Sequence, residues 1–270
     1  MIWDRFKKVR RLDAEDDDSR EVHLAREKAT GELRVVRIMH NDERKGDYEL
    51  LTSLDHPQIQ RTLEWGPLDK NGSKYAVTDY VKGTDLYSLV KDGKLDTNAA
   101  LRLYISSFGP TEYLHERGLV HGDLKPHNIV RAGDIAVLID LETVKPTSAD
   151  DVGMWFNPNY GAPEQKGLLY ADVDNRSDLF NIGRGIFNSV VGNELFKRFI
   201  WRISDTGDSS IESFVEDRGL VADGQFPAEL VPVLQKATKY DPKQRYQTVA
   251  ELRTDLQVVY DSLSGKNRRK

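Results

Sequence analysis

The chain has 270 residues, with 39 Lys and Arg against 44 Asp and Glu and a formal net charge of -5. With 39% apolar and 31% charged residues it can bury a core beneath a wet surface, which excludes a disordered or fibrous chain. It contains no cysteine, so disulfides, thiolate zinc sites and thiol nucleophiles are excluded together.

No stretch approaches the roughly 18 apolar residues that a membrane span requires, and the charged start MIWDRFKKVRR is unlike a signal peptide. No membrane association is expected, and a cytoplasmic location is the default. The mildly acidic balance argues against a nucleic-acid binder, and the basic stretch 266–270 reads as a solvated tail. The histidines show no metal-ligand spacing, so no zinc site is expected.

Along the chain, short β-branched runs such as Val22-His23-Leu24 and Val35-Val36-Arg37-Ile38, split by the turn signal Lys28-Ala29-Thr30-Gly31, predict a strand-rich start. Tyr48, Leu51 and Leu54 recur at helical spacing and predict a helix over Glu43 to Leu54, stopped by His56-Pro57. Further strands are predicted near Thr62 to Trp65 and Tyr75 to Thr78, and Tyr80-Val81-Lys82-Gly83 reads as a hinge. Beyond it apolar stripes predict helices over Thr97 to Arg117, Arg176 to Val191, Glu212 to Glu216, Pro227 to Lys239 and Thr248 to Ser262. A small β-rich lobe thus precedes a larger α-rich lobe, an α+β chain.

The chemically informative string is His121-Gly122-Asp123-Leu124-Lys125-Pro126-His127-Asn128, followed by Ile139-Asp140-Leu141-Glu142. Two acids and an amide within twenty residues, framed by apolar strands, suit phosphoryl transfer, which needs an oriented hydroxyl, divalent cations and neutralised phosphate charge. These residues, with Ala162-Pro163-Glu164, Asp178-Leu179-Phe180 and Asp241-Pro242-Lys243-Gln244-Arg245, resemble the eukaryotic-type protein kinase family, particularly the bacterial Ser/Thr kinases.

The resemblance implies a two-lobed kinase fold over residues 1–265, with the small lobe at about 1–79, the hinge at about 80–84 and the large lobe at about 85–265. It also implies that Asp123 takes the substrate proton, that Lys125 faces the transferring phosphate and that Asn128 and Asp140 hold magnesium. Val22, Val35, Arg37, Asp47, Asp79, Val81 and Val130 would form the ATP site, with Thr78 as gatekeeper. Asp178 would brace the catalytic loop, and Glu164 would pair with Arg245. A protein substrate or partner is implied by the segment ending at Glu164, and Lys125-Pro126 matches the Ser/Thr branch.

Several positions depart from the family pattern. Glu15 to Glu21 stand where a glycine-rich loop is expected and contain no glycine, and Asp13 to Asp18 form an acidic cluster. Arg37 replaces the strand lysine, and Asp47 falls at the position of its helical glutamate, so the two are expected to pair across the same gap. Arg20 is a second candidate cation, placed as in the with-no-lysine kinases. Gly122 replaces an arginine that reads activation-segment phosphorylation, Glu142 replaces a glycine, and Asn157 replaces a threonine that contacts the catalytic Asp and Lys. Two readings therefore stand: a divergent Mg-ATP-dependent Ser/Thr kinase, and a pseudokinase retained as a binding module.

Overall fold

A computed structural model describes residues 2–12, 20–40, 47–69, 72–149 and 156–265. The acidic cluster from Asp13 to Asp18, positions 43–46 of the predicted helix and the basic stretch 266–270 lie outside these residues. A short helix, α1 (Ile2–Arg5), leads into β1 (Phe6–Arg11), β2 (Arg20–Glu27) and β3 (Leu33–Met39). After α2 (Tyr48–Ser53) come β4 (Thr62–Pro67) and β5 (Lys74–Asp79). The five strands form one antiparallel sheet in the order β1-β2-β3-β5-β4.

Strand periodicity decides what this sheet offers each side. Val36 packs with Phe6, Ala25 and Val77 in a small core of its own, so its neighbours Val35 and Arg37 face the opposite side. The register sets Val22 against Arg37 and Val35 against Thr78, which assembles a mixed apolar and cationic face. Helix α2 is shorter than predicted because Asp47 caps it, its carboxylate accepting the Leu50 amide proton at 2.9 Å. Tyr48 and Leu51 are its buried stripe.

The remainder is mainly helical: β6 (Thr84–Asp85), α3 (Leu86–Lys91) and α4 (Thr97–His115) precede β7 (Leu119–Val120), β8 (Ile129–Ala132), β9 (Ile135–Leu138) and β10 (Lys145–Pro146). Helices α5 (Asn175–Val191), α6 (Asn193–Thr206), α7 (Ile211–Glu216), α8 (Leu230–Ala237) and α9 (Val249–Leu263) follow. Helix α6 was not anticipated, although Leu195, Phe196, Phe199, Ile200 and Ile203 carry the required spacing. Asp96, Asp174 and Thr248 accept backbone amide protons at the starts of α4, α5 and α9. Among the described residues, no helix is long and apolar enough to cross a membrane.

The two parts are tied through one short segment. Ile59 bridges to Leu138, and the Leu138 amide and carbonyl bond to Gln58 and Gln60, each at 2.8 Å. This tie holds the residues after β9 beneath the face of β3. Gly83 is glycine for a steric reason rather than for flexibility: a Cβ there would lie 2.2 Å from the Arg131 carbonyl oxygen of β8. The predicted hinge thus lies close against the floor of the cleft.

Candidate active site

The loop between β7 and β8 is held from α5 by a buried carboxylate. Asp178, wholly buried on α5, accepts the His121 and Gly122 amide protons, each at 2.9 Å, and contacts the His115 imidazole at 2.8 Å. Both oxygens of this carboxylate are consumed in shaping the backbone ahead of Asp123, as expected of a brace. Gly122 takes a left-handed conformation with φ 78°, which a side chain would strain. Glu164 and Arg245 form a doubly hydrogen-bonded pair at 2.6 and 2.8 Å with both side chains fully buried.

Asp123 is buried and held at three of its oxygens, two on the carboxylate and one on the backbone. Lys125 Nζ bonds one oxygen, the Asn157 backbone amide donates to the other at 2.8 Å, and Asn128 Nδ2 donates to the Asp123 carbonyl at 2.9 Å. Replacing the family threonine by Asn157 therefore does not remove the contact to Asp123, because the backbone provides the donor. The Asn157 side chain turns instead to the Asn159 amide, at 3.0 Å.

Asp140 is the one non-glycine residue with positive φ among the described residues, at 60°. Such strain in a residue lining a cleft is a mark of functional sites. Burial works to raise its pKa, but the charges of Arg37, Arg20 and Lys125 outweigh burial and hold the carboxyl below the usual carboxylate range. Asn128 commits its amide nitrogen to Asp123, which leaves its amide oxygen as the kind of donor a hard divalent cation takes, on a residue that lines the same cleft as Asp140. Among the described residues there is no cluster of three or more His, Cys, Asp or Glu able to hold a metal, so a cation here needs further oxygens, such as those of phosphate.

Val22, Val35, Arg37, Val81, Lys125, Asn128, Val130 and Asp140 all line one cleft of about 490 Å³. Asp123 lines an adjoining cavity of about 240 Å³, which shares Arg20, Lys125, Asp140 and Asn157 with the cleft. Asp79 does not line the cleft: its side chain pairs with Arg34 and Arg61 at 3.2 and 3.3 Å. Its carbonyl accepts a proton from Gln60 Nε2 at 2.8 Å.

The expected pairing of Arg37 with Asp47 is not formed. Asp47 is exposed and occupied in capping α2, whereas buried Arg37 donates to Thr78 Oγ1 at 3.2 Å and lies 3.5 Å from Asp140 Oδ1. Its Nε makes an ion contact with Glu142 Oε1 at 3.2 Å. The physical reason is reach: a cap must face its own helix start, and the residue two past Asp140 already lies under the guanidinium. Leu141 is buried in the same core cluster as Leu51, so an aliphatic residue fills the place of the family aromatic.

Three polar cleft residues escaped the sequence reading. Gln60 stands next to Ile59 in a segment that gave no chemical signal, yet its side chain joins Asp79 to the Asp140 amide, the latter at 3.4 Å. Arg10 and Asp85 also line the cleft, and only a knowledge of strand register places Arg10 there.

Comparison with known proteins agrees with this geometry. The family model of the protein kinase domain matches residues 18–255. The chain is 26% identical over 265 residues to a serine/threonine-protein kinase, pkn2, of Myxococcus xanthus, covering 91% of this chain and 31% of the relative. It is also 26% identical to serine/threonine-protein kinase PknB of Mycobacterium leprae, covering 89% of this chain and 41% of that protein. A probable PknB of Bifidobacterium longum, again 26% identical, is matched over 87% of this chain and 37% of its own length. The chain thus spans well under half the length of these curated relatives. With a family match over most of its residues and a braced loop, a strained aspartate and a buried Glu-Arg pair at the family's positions, the chain belongs to the protein kinase family of bacterial type.

Proposed function

We propose that the chain is a Mg-ATP-dependent phosphotransferase acting on Ser or Thr hydroxyls of a protein, with its kinase unit spanning about residues 1–265. The observation that carries the reading is that Asp123, Lys125 and Asp140 line the same cavity, continuous with a cleft walled by Val22, Val35 and Val130. Asp123 takes the proton of the incoming hydroxyl at a carboxylate oxygen, oriented by the Asn157 amide and Lys125. Lys125 also meets the negative charge of the group being transferred. Asn128, through its amide oxygen, and Asp140 would hold magnesium, which when bound with ATP supplies charge neutralisation at the phosphates. Val35, Val130 and Val81 enclose the base, and Arg37 takes the phosphate side of the cleft.

A second reading, a pseudokinase that docks a partner, draws support from two contacts. Arg37 reaches Asp140, the proposed metal ligand, and Gln60 already occupies the Asp79 carbonyl that would meet a base. Thermal unfolding with and without millimolar Mg-ATP separates the two. The kinase reading expects a rise in Tm that Asp140→Ala abolishes, and transfer of labelled phosphate to a generic protein substrate. Asp123→Asn is expected to lower that transfer by about 10²- to 10⁴-fold, the usual contribution of a general base. An unchanged Tm with Mg-ATP removes the kinase reading and leaves the binding module.

A further inference from the structure

In the described structure the carboxylate that answers Arg37 comes from the segment of Asp140 itself, not from helix α2. Glu142 is almost fully buried, with a side chain 10% exposed against 8% for Arg37. Its Oε1 is 3.2 Å from Arg37 Nε, and its Oε2 is 3.9 Å from Arg20 Nη1. One buried carboxylate therefore stands between two arginines on adjacent strands, and both arginines line the cleft. We propose that Glu142 is the positioning residue of an arginine pair, Arg37 and Arg20, that receives the phosphates of the nucleotide in place of a glycine-rich loop and a strand lysine.

Without Glu142, Arg37 would keep one acidic partner. Asp140 is the other acid within reach, at 3.5 Å. A guanidinium left with that single partner closes on it, since an unpaired buried charge is costly and a fork fits a carboxylate with two hydrogen bonds. Asp140 would then be lost to a cation. Glu142 holds the Nε edge of Arg37 by an ion contact at 3.2 Å while Nη1 donates to Thr78 at 3.2 Å, which leaves Nη2 only a loose contact with Asp140, at 3.5 Å, and free to be drawn to a phosphate in the cleft that Arg37 lines. The pKa directions agree: burial opposes the charge on Arg37, and Glu142 then Asp140 outweigh burial to raise its pKa. Because Glu142 and Asp140 share one short turn, the cation and the metal ligand are set by the same piece of backbone, independent of the position of α2.

The proposal rests on the kinase reading for its ligand but not for its geometry, and the experiment separates the two. Melting temperatures of the nucleotide-free full chain are measured for Arg37→Met, Glu142→Gln and the double variant, and for Arg37→Met with Asp47→Asn. Non-additive shifts for 37 with 142 and additive shifts for 37 with 47 are expected. Additive shifts for 37 with 142 overturn the proposal whether or not nucleotide binds. Dissociation constants for ATP are then measured with magnesium and with EDTA. Glu142→Gln is expected to weaken Mg-ATP binding by about 10- to 100-fold, the usual cost of losing an outer partner of a metal site, while metal-free binding changes far less. Glu142→Asp restores part of the magnesium dependence, a result that a merely structural role does not predict. Equal magnesium dependence in wild type and Glu142→Gln overturns the proposal while leaving the kinase reading in place.

Discussion

The two lobes solve the same problem, holding charged groups at a cleft, by different means. In the large lobe Asp178 and Arg245 are fixed by partners that are themselves buried: Asp178 grips two loop amides, and Glu164 grips Arg245. In the sheet lobe Arg37 is held by a residue from outside the sheet, and the neighbouring α2 contributes apolar packing through Tyr48 and Leu51 instead of a carboxylate. The difference lies in where the partner comes from: the large lobe supplies its own across 57 and 81 residues of sequence, whereas Arg37 takes its acid from the other lobe. An ion pair between lobes can change its donor segment without disturbing either fold.

The largest effect should come from the large lobe. Glu164→Ala leaves the Arg245 guanidinium buried without its carboxylate and also removes the acceptor of Ser177 Oγ, at 2.7 Å. Breaking one side of such a pair costs about 3–5 kcal/mol, to be read as a lower urea midpoint with an unchanged slope. Glu142→Gln, in a pair that is looser and nearer solvent, should cost clearly less in the nucleotide-free chain. Equal losses at both sites would erase the distinction between the lobes.

A smaller effect sharpens the comparison within the small lobe. Asp47→Ala removes the cap of α2 and should cost about 1 kcal/mol, measured by thermal unfolding, with no change in ATP affinity. A loss of ATP affinity would return Asp47 to the role that its position in the sequence suggested. That role was inferred by counting along the chain, and counting succeeds where neighbours in sequence are neighbours in space. Asp123, Lys125 and Asn128 bond to one another within five residues, so their string was legible. Arg37 meets Glu142 across more than a hundred residues, and Gln60 meets Asp79 and Asp140 from a loop that carries no motif. The alternation of β3 puts Val35 and Arg37 on one face, but no periodicity could say which acid would arrive beneath it. Helix α6 was overlooked for another reason: its stripe lies directly after Gly192, which marks the end of α5.

The smallest effect tests whether every buried cation of the large lobe is as well held as Arg245. Arg184 on α5 is also buried, but its Nε and Nη1 have no hydrogen-bond partner among the described residues, and the faces of Phe199 and Phe180 lie 4.7 and 5.2 Å from its guanidinium carbon. Burial pushes its pKa down to about 9, so the group still carries its proton at neutral pH and bears the cost of that charge. Ring faces return about 1–2 kcal/mol at most, and methionine fills a similar volume without a charge. Arg184→Met should therefore leave stability within about 1 kcal/mol of wild type at pH 7, or raise it. The sign of the pH dependence follows from the same depressed value. Above about pH 9 the folded chain gives up this proton while the unfolded chain keeps it, so wild-type stability gains on the variant as pH rises. Urea unfolding of both proteins at pH 7 and pH 10 checks this: any advantage of Arg184→Met should narrow at the higher pH, and a widening advantage would mean that the guanidinium is held by more than two aromatic rings.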